Sequence, residues 1–213
     1  MLNGDRFLVF GSTAHHDLDA EVLSLVNNVS GLNLSFSGVW HHTWQDGEPG
    51  FRFDDYGPIK GRHVIIFSCP ITNKHEIELR DLVTACKQQY DARTVTVVLS
   101  FMRYRRQDHD ELVHEITRLR WFIRDLKHWG ADHLVVCEPH SVEHTQKFCD
   151  EFDLTLHMCD PTRIFVETIR SVFFTLGGPE RVRFYSPDFG SIGRALTIAK
   201  VFGTCVIGTP KRR

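Results

Sequence analysis

Four polar clusters in this chain combine residue types suited to purine, phosphate or metal chemistry. The first, Trp44-Gln45-Asp46-Gly47-Glu48, sets an aromatic ring beside two carboxylates. Such a ring can stack on a base while a carboxylate accepts a hydrogen bond from an exocyclic amine; the same residues also read as an ordinary Asp-Gly turn. The second, Tyr104-Arg105-Arg106-Gln107-Asp108-His109, carries two guanidinium groups, whose fixed fork of donors suits phosphate oxygens. Its alternative is a solvated charged loop, with Asp108 placed to cap the helix that follows. The third is Glu138-Pro139-His140-Ser141-Val142-Glu143-His144. Histidines four apart can share a helix face and hold a metal. A zinc-protease helix would have Glu where Ser141 stands, so a single His140 directed at a metal-bound nucleotide fits better, with His144 on the surface. The fourth, Ser186-Pro187-Asp188-Phe189-Gly190-Ser191-Ile192-Gly193-Arg194, joins a strand to a helix with glycines at the turn. A helix N-terminus of that kind favours anions, and Asp188 is positioned for Mg²⁺ or a sugar hydroxyl. The pairs His15-His16 and His41-His42 are decoys by comparison, because neighbours along a strand point to opposite faces.

These clusters need strands and helices to hold them. Short apolar runs occur at Phe7–Phe10, Val64–Phe67, Thr94–Leu99, Leu134–Cys137, Val182–Tyr185 and Thr204–Ile207. They are continuous and β-branched, as strands buried on both faces tend to be. Helical periodicity separates them over Asp17–Asn28, Ile77–Tyr90, Val142–Phe152, Arg163–Leu176 and Ser191–Val201. After Asp110, the residues Leu112, Ile116, Leu119, Ile123 and Leu126 make one apolar stripe that Gly130 stops. Alternation of strand and helix predicts an α/β fold with a mostly parallel sheet and flanking helices. Phe51 and Phe53, following the turn signal at Asp46–Gly50, predict an antiparallel hairpin or edge element. A boundary is expected near Cys149–Asp153, giving a first domain over 1–150 and a second, incomplete one over 151–213. In parallel sheets of this kind ligands gather at the C-terminal ends of strands, which is where the clusters fall.

Composition narrows the function classes. The chain has 213 residues, 42% hydrophobic and 24% charged, with a formal charge of −2, so a nucleic-acid partner receives no electrostatic support. No apolar run approaches the roughly 18 residues of a membrane span, and the start MLNGDRFLVF lacks the features of a secretory leader; a cytoplasmic protein is expected. The six cysteines form no Cys-x-x-Cys pair and are expected to be reduced core thiols.

In this order, the clusters resemble the ribose-phosphate diphosphokinase (phosphoribosyl pyrophosphate synthetase) family. Trp44–Glu48 is similar to its Phe-x-Asp-Gly-Glu motif, and Ile59–Arg62 resembles the step into its next strand. Thr72-Asn73 through Glu78-Leu79, with Leu82 and Ala85-Cys86-Lys87, resembles its "TN…MELL…DALK" helix. Tyr104–Asp108 resembles "YARQD", and Gly130-Ala131-Asp132 with His140 resembles "GAD…DLH". Ser186-Pro187-Asp188 with Ala195, Ala199 and Lys200 resembles "SPD…A…A", and Lys211-Arg212-Arg213 resembles "KRR".

The resemblance implies phosphoribosyltransferase-like domains with the nucleotide at a subunit interface, and hence a homo-oligomer or a hetero-oligomer with a homologous synthetase. Carried across, Trp44, Asp46 and Glu48 would contact adenine from a neighbouring subunit, and Arg106, Gln107 and Asp108 would hold the phosphates and ribose of ATP. His140 and Asp188 would belong to the Mg²⁺ site, and Lys211 and Arg213 would neutralise charge on the transferring group. The implied reaction moves the β,γ-diphosphoryl group of ATP to the anomeric hydroxyl of ribose 5-phosphate, giving phosphoribosyl pyrophosphate and AMP. The chain departs from the family's pattern in several places. Glu138-Pro139 stand where the family has Asp-Leu, Phe189 and Ser191 flank Gly190, His109 replaces a basic residue and Trp44 replaces Phe. The family's "DD…DTGGT" loop for the 5-phosphate is not in this sequence, so impaired activity through truncation is expected. Two other readings stand beside this one: a regulatory subunit or pseudoenzyme partnering an active synthetase, and a diphosphokinase for another 5′-substituted ribose such as ADP-ribose.

Overall fold

The computed structural model describes residues 6–14, 16–54, 58–109 and 114–208. The chain divides into two compact units, Met1–Cys159 and Asp160–Arg213.

The first unit is built on a five-stranded parallel sheet. β1 (Phe7–Gly11) is followed by α1 (His16–Ser30), then by β2 (Val39–Thr43) and β3 (Pro49–Phe53). Next come β4 (His63–Ser68), α2 (Asn73–Thr84), β5 (Thr94–Leu99), α3 (Arg118–Trp129), β6 (His133–Cys137), α4 (Val142–Glu151) and β7 (Thr155–Cys159). The sheet order is β1-β4-β5-β6-β7, and β2 and β3 form the expected antiparallel hairpin, with Val39 opposite Phe53 and Thr43 opposite Pro49. Leu8, Phe10, Val64, Ile66, Val95, Val97 and Leu134 lie in one core with Leu79, Leu82 and Val83 of α2 and Leu119, Ile123 and Leu126 of α3. A smaller core joins Val9 and Phe67 to Leu23 of α1 and to Leu34. In β5 only alternate residues are buried; Thr96 and Val98 on the other face are half-buried. Burial on both faces, expected for this run, therefore holds for one face only. The run's own Thr-Val-Thr-Val start is the alternation of a half-covered strand.

α2 begins at Thr72, whose Oγ1 accepts from the His75 N–H, and closes in a π turn over Ala85–Gln89. Beyond it, Lys87 Nζ donates to Asp132 Oδ2 at 2.9 Å and Gln88 Nε2 donates to the carbonyls of His128 and Trp129. Those carbonyls lie in the last turn of α3, where the helix itself supplies no donors. Gly130 then ends α3 with φ 117°, as its position after the apolar stripe predicted.

Four expectations need correction. α3 starts at Arg118 and not after Asp110; Ile116 precedes it and is exposed, while Leu112 lies outside the described residues. Its Leu119 N–H is met by the main-chain carbonyl of Gln107, so Asp108 is not its cap. The division between units comes after β7, whose Thr-Leu-His-Met-Cys sequence pairs residue by residue with β6. This strand is polar and largely exposed at the sheet edge, so it has no continuous apolar run to announce it. The cysteines split: Cys69, Cys86 and Cys149 are buried, whereas Cys137, Cys159 and Cys205 are exposed and are not core thiols. Burial pushes the Cys86 and Cys149 thiols up to about 12, which keeps them protonated and inert.

The second unit contains α5 (Thr162–Phe173), β8 (Phe184–Ser186), α6 (Phe189–Val201) and β9 (Val206–Gly208). β8 and β9 pair in parallel, and Val166, Phe173, Ile198 and Phe202 form their own core, with the Phe173 and Phe202 rings 4.6 Å apart. Gly190 and Gly193 fall inside α6 and not at a turn. No described helix is long and apolar enough to cross a membrane.

Candidate active site at the strand tips

The loop after β5 is fastened to α2. Arg103 Nη1 donates to Glu76 Oε2 at 2.6 Å, and the Tyr104 hydroxyl donates to the same oxygen at 3.1 Å. Arg103 and Arg118 also lie over the Tyr104 ring, 4.8 and 4.5 Å from its centroid. Tyr104 adopts φ 57°, a left-handed conformation that sharply reverses the chain. With Arg103 and Tyr104 committed to anchoring, Arg105, Arg106 and Gln107 stand exposed at the C-terminal end of the sheet.

Asp108 does the opposite and turns inward. Its side chain is 1% exposed, and it gathers histidines from two neighbouring strand tips. Oδ1 lies 2.6 Å from His109 Nδ1, and Oδ2 lies 3.1 Å from His140 Nδ1 and 3.7 Å from His144 Nδ1. Burial pushes this carboxyl up, but the hydrogen bonds of His140 and His109 outweigh it and hold the group below the usual carboxylate range. His140 reaches it because Glu138, with φ 47°, and Pro139 turn the chain out of β6 before α4 begins. The α4 cap is Ser141, whose Oγ accepts from the His144 N–H at 3.2 Å. His140 therefore precedes the helix and His144 sits in its first turn, so the two do not share a helix face as four-residue spacing suggested. Asp108 brings them to one point instead.

The hairpin tip is organised separately. Trp44 N–H donates to the Glu48 carbonyl and Asp46 Oδ1 accepts from the Glu48 N–H at 3.1 Å, so Asp46 partly serves the turn. Trp44 is 59% exposed and meets His42 edge-on, while Trp40 stacks on His42 at 5.0 Å and Arg52 lies over Trp40. Trp40, His42 and Trp44 thus form an aromatic ladder on one face of the hairpin. Trp44, Asp46 and Glu48 line one depression; Asp108, His109 and His144 line another.

His41, on the opposite face of β2, is no idle residue. Its Nδ1 lies 2.8 Å from Glu78 Oε1, and the Thr13 N–H and hydroxyl donate to the same carboxylate at 3.0 and 2.9 Å. Burial raises the Glu78 carboxyl, but the contacts from His41 and Thr13 prevail and hold it low. This clasp fixes the hairpin to α2 and to the end of β1. Nothing in the spacing of residues 13, 41 and 78 signals it; only the rule that adjacent strand residues face apart hinted that His41 and His42 have separate roles.

Asp188 belongs to the second unit. Its carboxylate caps α6, with Oδ1 accepting from the Ser191 N–H and hydroxyl at 2.9 Å each. The helix N-terminus proposed for an anion thus already carries an acidic cap. Lys211 and Arg213 lie outside the described residues.

A family model for the N-terminal domain of ribose phosphate pyrophosphokinase matches residues 7–130, which run from β1 through α3. The chain belongs to the ribose phosphate pyrophosphokinase family. Among curated proteins, it is similar to a ribose-phosphate pyrophosphokinase of Mycoplasma genitalium, 28% identical over 193 residues that cover 89% of this chain and 55% of that protein. It is similar also to a ribose-phosphate pyrophosphokinase of Ureaplasma parvum, 25% identical over 216 residues that cover 100% of this chain and 60% of that protein. The chain spans a little over half the length of these pyrophosphokinases. Its fold is that of phosphoribosylpyrophosphate synthetase from Mycobacterium smegmatis, with a TM-score of 0.80, 23% identity and coverage of 98% of this chain and 65% of that one. The pyrophosphokinase fold includes the parallel sheet that carries Asp108 and His140 at the ends of β5 and β6.

Proposed function

We propose that this chain binds ATP with Mg²⁺ at the tips of β5 and β6 and serves ribose-phosphate diphosphokinase chemistry. The observation that carries the reading is the Asp108–His140 contact of 3.1 Å between two strand tips, in a chain whose residues 7–130 match the family. In the reaction, the anomeric oxygen of ribose 5-phosphate attacks the β-phosphorus of ATP. The bond from that phosphorus to the α,β-bridging oxygen breaks, AMP leaves, and the hydroxyl proton is released.

The residues fit a metal-bound nucleotide. A histidine that gives one ring nitrogen to a carboxylate presents the other in a fixed direction, the usual arrangement behind an imidazole ligand. His140 is held in this way through Nδ1, and its ring is 47% exposed. His140 would hold the metal. When bound, Mg²⁺ would supply positive charge that lowers the repulsion meeting the incoming nucleophile.

The chain's own groups then position the reactants. Asp108 keeps the His140 ring oriented. Arg106 offers its guanidinium fork to phosphate oxygens, and Gln107 offers an amide to phosphate or ribose. Trp44 supplies a stacking face for adenine in a neighbouring subunit, with Asp46 and Glu48 as acceptors for its amine. Lys211 and Arg213 neutralise charge on the diphosphoryl group. Such a step depends mostly on positioning and charge stabilisation. In this reading Met1–Cys159 is a phosphoribosyltransferase-like domain and Asp160–Arg213 belongs to a second of the same kind, which its β8–α6–β9 parallel unit supports.

Calorimetric titration of the 213-residue chain with ATP and Mg²⁺, followed by an assay for AMP with ribose 5-phosphate present, tests the proposal. Saturable ATP binding that weakens in Arg106→Ala and His140→Ala is expected. Absence of ATP binding in folded protein would overturn it.

A further inference from the structure

The Asp108 cluster holds more donors than a nucleotide site needs. Asp108, His109 and His144 each offer a ligand atom, and these atoms lie within 4.8 Å of one another. They come from the end of the β5 loop and the first turn of α4, two segments held by the anchors of Arg103 and by the Ser141 cap. Two contacts to the carboxylate differ in kind. His109 Nδ1 is at hydrogen-bonding distance from Oδ1, 2.6 Å, whereas His144 Nδ1 is 3.7 Å from Oδ2, too far for a hydrogen bond. His144 Nδ1 is nevertheless buried and has no hydrogen-bond partner among the described residues. A buried ring nitrogen left in this state is costly unless something else takes its lone pair or proton.

A first-row transition metal resolves that mismatch. With metal–ligand bonds of about 2.0–2.1 Å, tetrahedral ligand atoms stand roughly 3.3 Å apart. The 3.7 Å between His144 Nδ1 and Asp108 Oδ2 is close to this spacing. Two imidazoles and one carboxylate form a donor set for Zn²⁺, Co²⁺ or Ni²⁺, whereas Mg²⁺ prefers oxygen ligands and retains water. The same three residues open onto a surface depression bordered by Thr117, Arg120, Lys147, Phe148 and Glu151, which gives an ion access and leaves room for a water ligand. His140 meets the same carboxylate oxygen, Oδ2, through Nδ1, which leaves its Nε2 for the nucleotide site.

We infer that Asp108, His109 and His144 form a three-ligand site for a zinc-class divalent metal, next to the proposed Mg²⁺–nucleotide site and sharing Asp108 with it. The inference goes beyond the proposed function, and metal binding can be measured with no nucleotide present, so either can fail alone.

The test uses the 213-residue chain stripped of metal with a chelator. Titration with Co²⁺ is expected to give one equivalent of binding with the strong visible bands of a low-coordinate site. Zn²⁺ should displace the Co²⁺, and excess Mg²⁺ should not. His109→Ala and His144→Ala should each raise the apparent Kd at least about tenfold, a loss of roughly 1.4 kcal/mol. The double variant should bind no metal. His109→Asn and His144→Gln, with folding checked by circular dichroism, serve if an alanine variant fails to fold. His157→Ala should leave binding unchanged. His157 Nε2 lies 3.3 Å from His133 Nδ1, so metal binding lost in His157→Ala but retained in the double variant would overturn the inference. So would the absence of saturable binding to folded wild-type chain.

Discussion

The Asp108 carboxylate holds His140 across the gap between β5 and β6, with Oδ2 3.1 Å from Nδ1 and the carboxylate almost sealed from solvent. Neither residue belongs to a strand. Asp108 follows a loop tied down by Arg103 and Tyr104, and His140 follows a left-handed residue that turns the chain out of β6. A parallel sheet places such loops side by side, and the carboxylate then fixes which way the imidazole faces.

Asp108→Asn keeps the shape and removes the charge. The amide keeps one acceptor and puts a donor in place of the other, so one histidine loses the charged acceptor that fixes its tautomer and orientation. Loss of a group that orients a ligand typically costs about 10–100-fold in affinity or activity. ATP affinity in the presence of Mg²⁺, measured by calorimetry, should fall by that order while circular dichroism shows the fold retained.

The Glu78 clasp makes stability depend on pH. Its carboxyl is held below the ordinary value by His41 and Thr13, so its contribution is complete above the unfolded carboxylate pKa of about 4.3 and is lost as pH falls through the lower folded value. Glu78→Gln should be less stable at neutral pH by about 1–3 kcal/mol, since a buried partner is left unmatched. Thermal melts of the two proteins at a series of pH values should converge in acid and reach their full, constant difference by about pH 5, once the unfolded carboxyl is ionised.

Gly130→Ala should destabilise the chain by about 1–3 kcal/mol, through left-handed backbone strain and a clash. The added Cβ would stand 2.6 Å from Cβ and Cγ of Lys87. Gly47, with φ 88° and no described residue within 4 Å of the corresponding position, isolates the strain alone. Denaturant unfolding should therefore rank Gly47→Ala as the milder change.

Trp44→Ala separates binding from folding. The ring is 59% exposed, so stability should move by no more than about 0.5 kcal/mol. If adenine stacks on it, ATP affinity should fall by about 1–3 kcal/mol, the usual contribution of one base on an aromatic ring. Calorimetry at protein concentrations that favour association checks this.

The regular part of the fold was legible because its signals are local. The stripe Leu119, Ile123 and Leu126 and the stop at Gly130 specified α3, and Thr94–Leu99 specified β5 to the residue. β7 escaped because an exposed edge strand such as Thr155–Cys159 needs no apolar run. The start of α3 was misjudged because Ile116 matches the helical period yet lies outside the helix, where the Gln107 carbonyl takes over the first turn. At the site, residue types pointed to Asp108 and His140 separately, but their contact spans two strand tips and 32 positions of chain. His144 looked like a surface residue because sequence spacing relates it to His140, whereas in space both answer to Asp108. The clasp of Thr13, His41 and Glu78 joins three elements with no common motif, and only packing reveals it.

The π turn that closes α2 amounts to one residue more than a regular helix would use. Each residue of an α-helix rotates the chain by about 100°, so this surplus re-aims everything beyond it. Lys87 and Gln88 reach Asp132 and the end of α3 by virtue of that change of direction. A single-codon deletion within Ala85–Gln89 would straighten the helix and swing both side chains off their targets, unlatching two neighbouring helices without altering a single apolar contact position ahead of it.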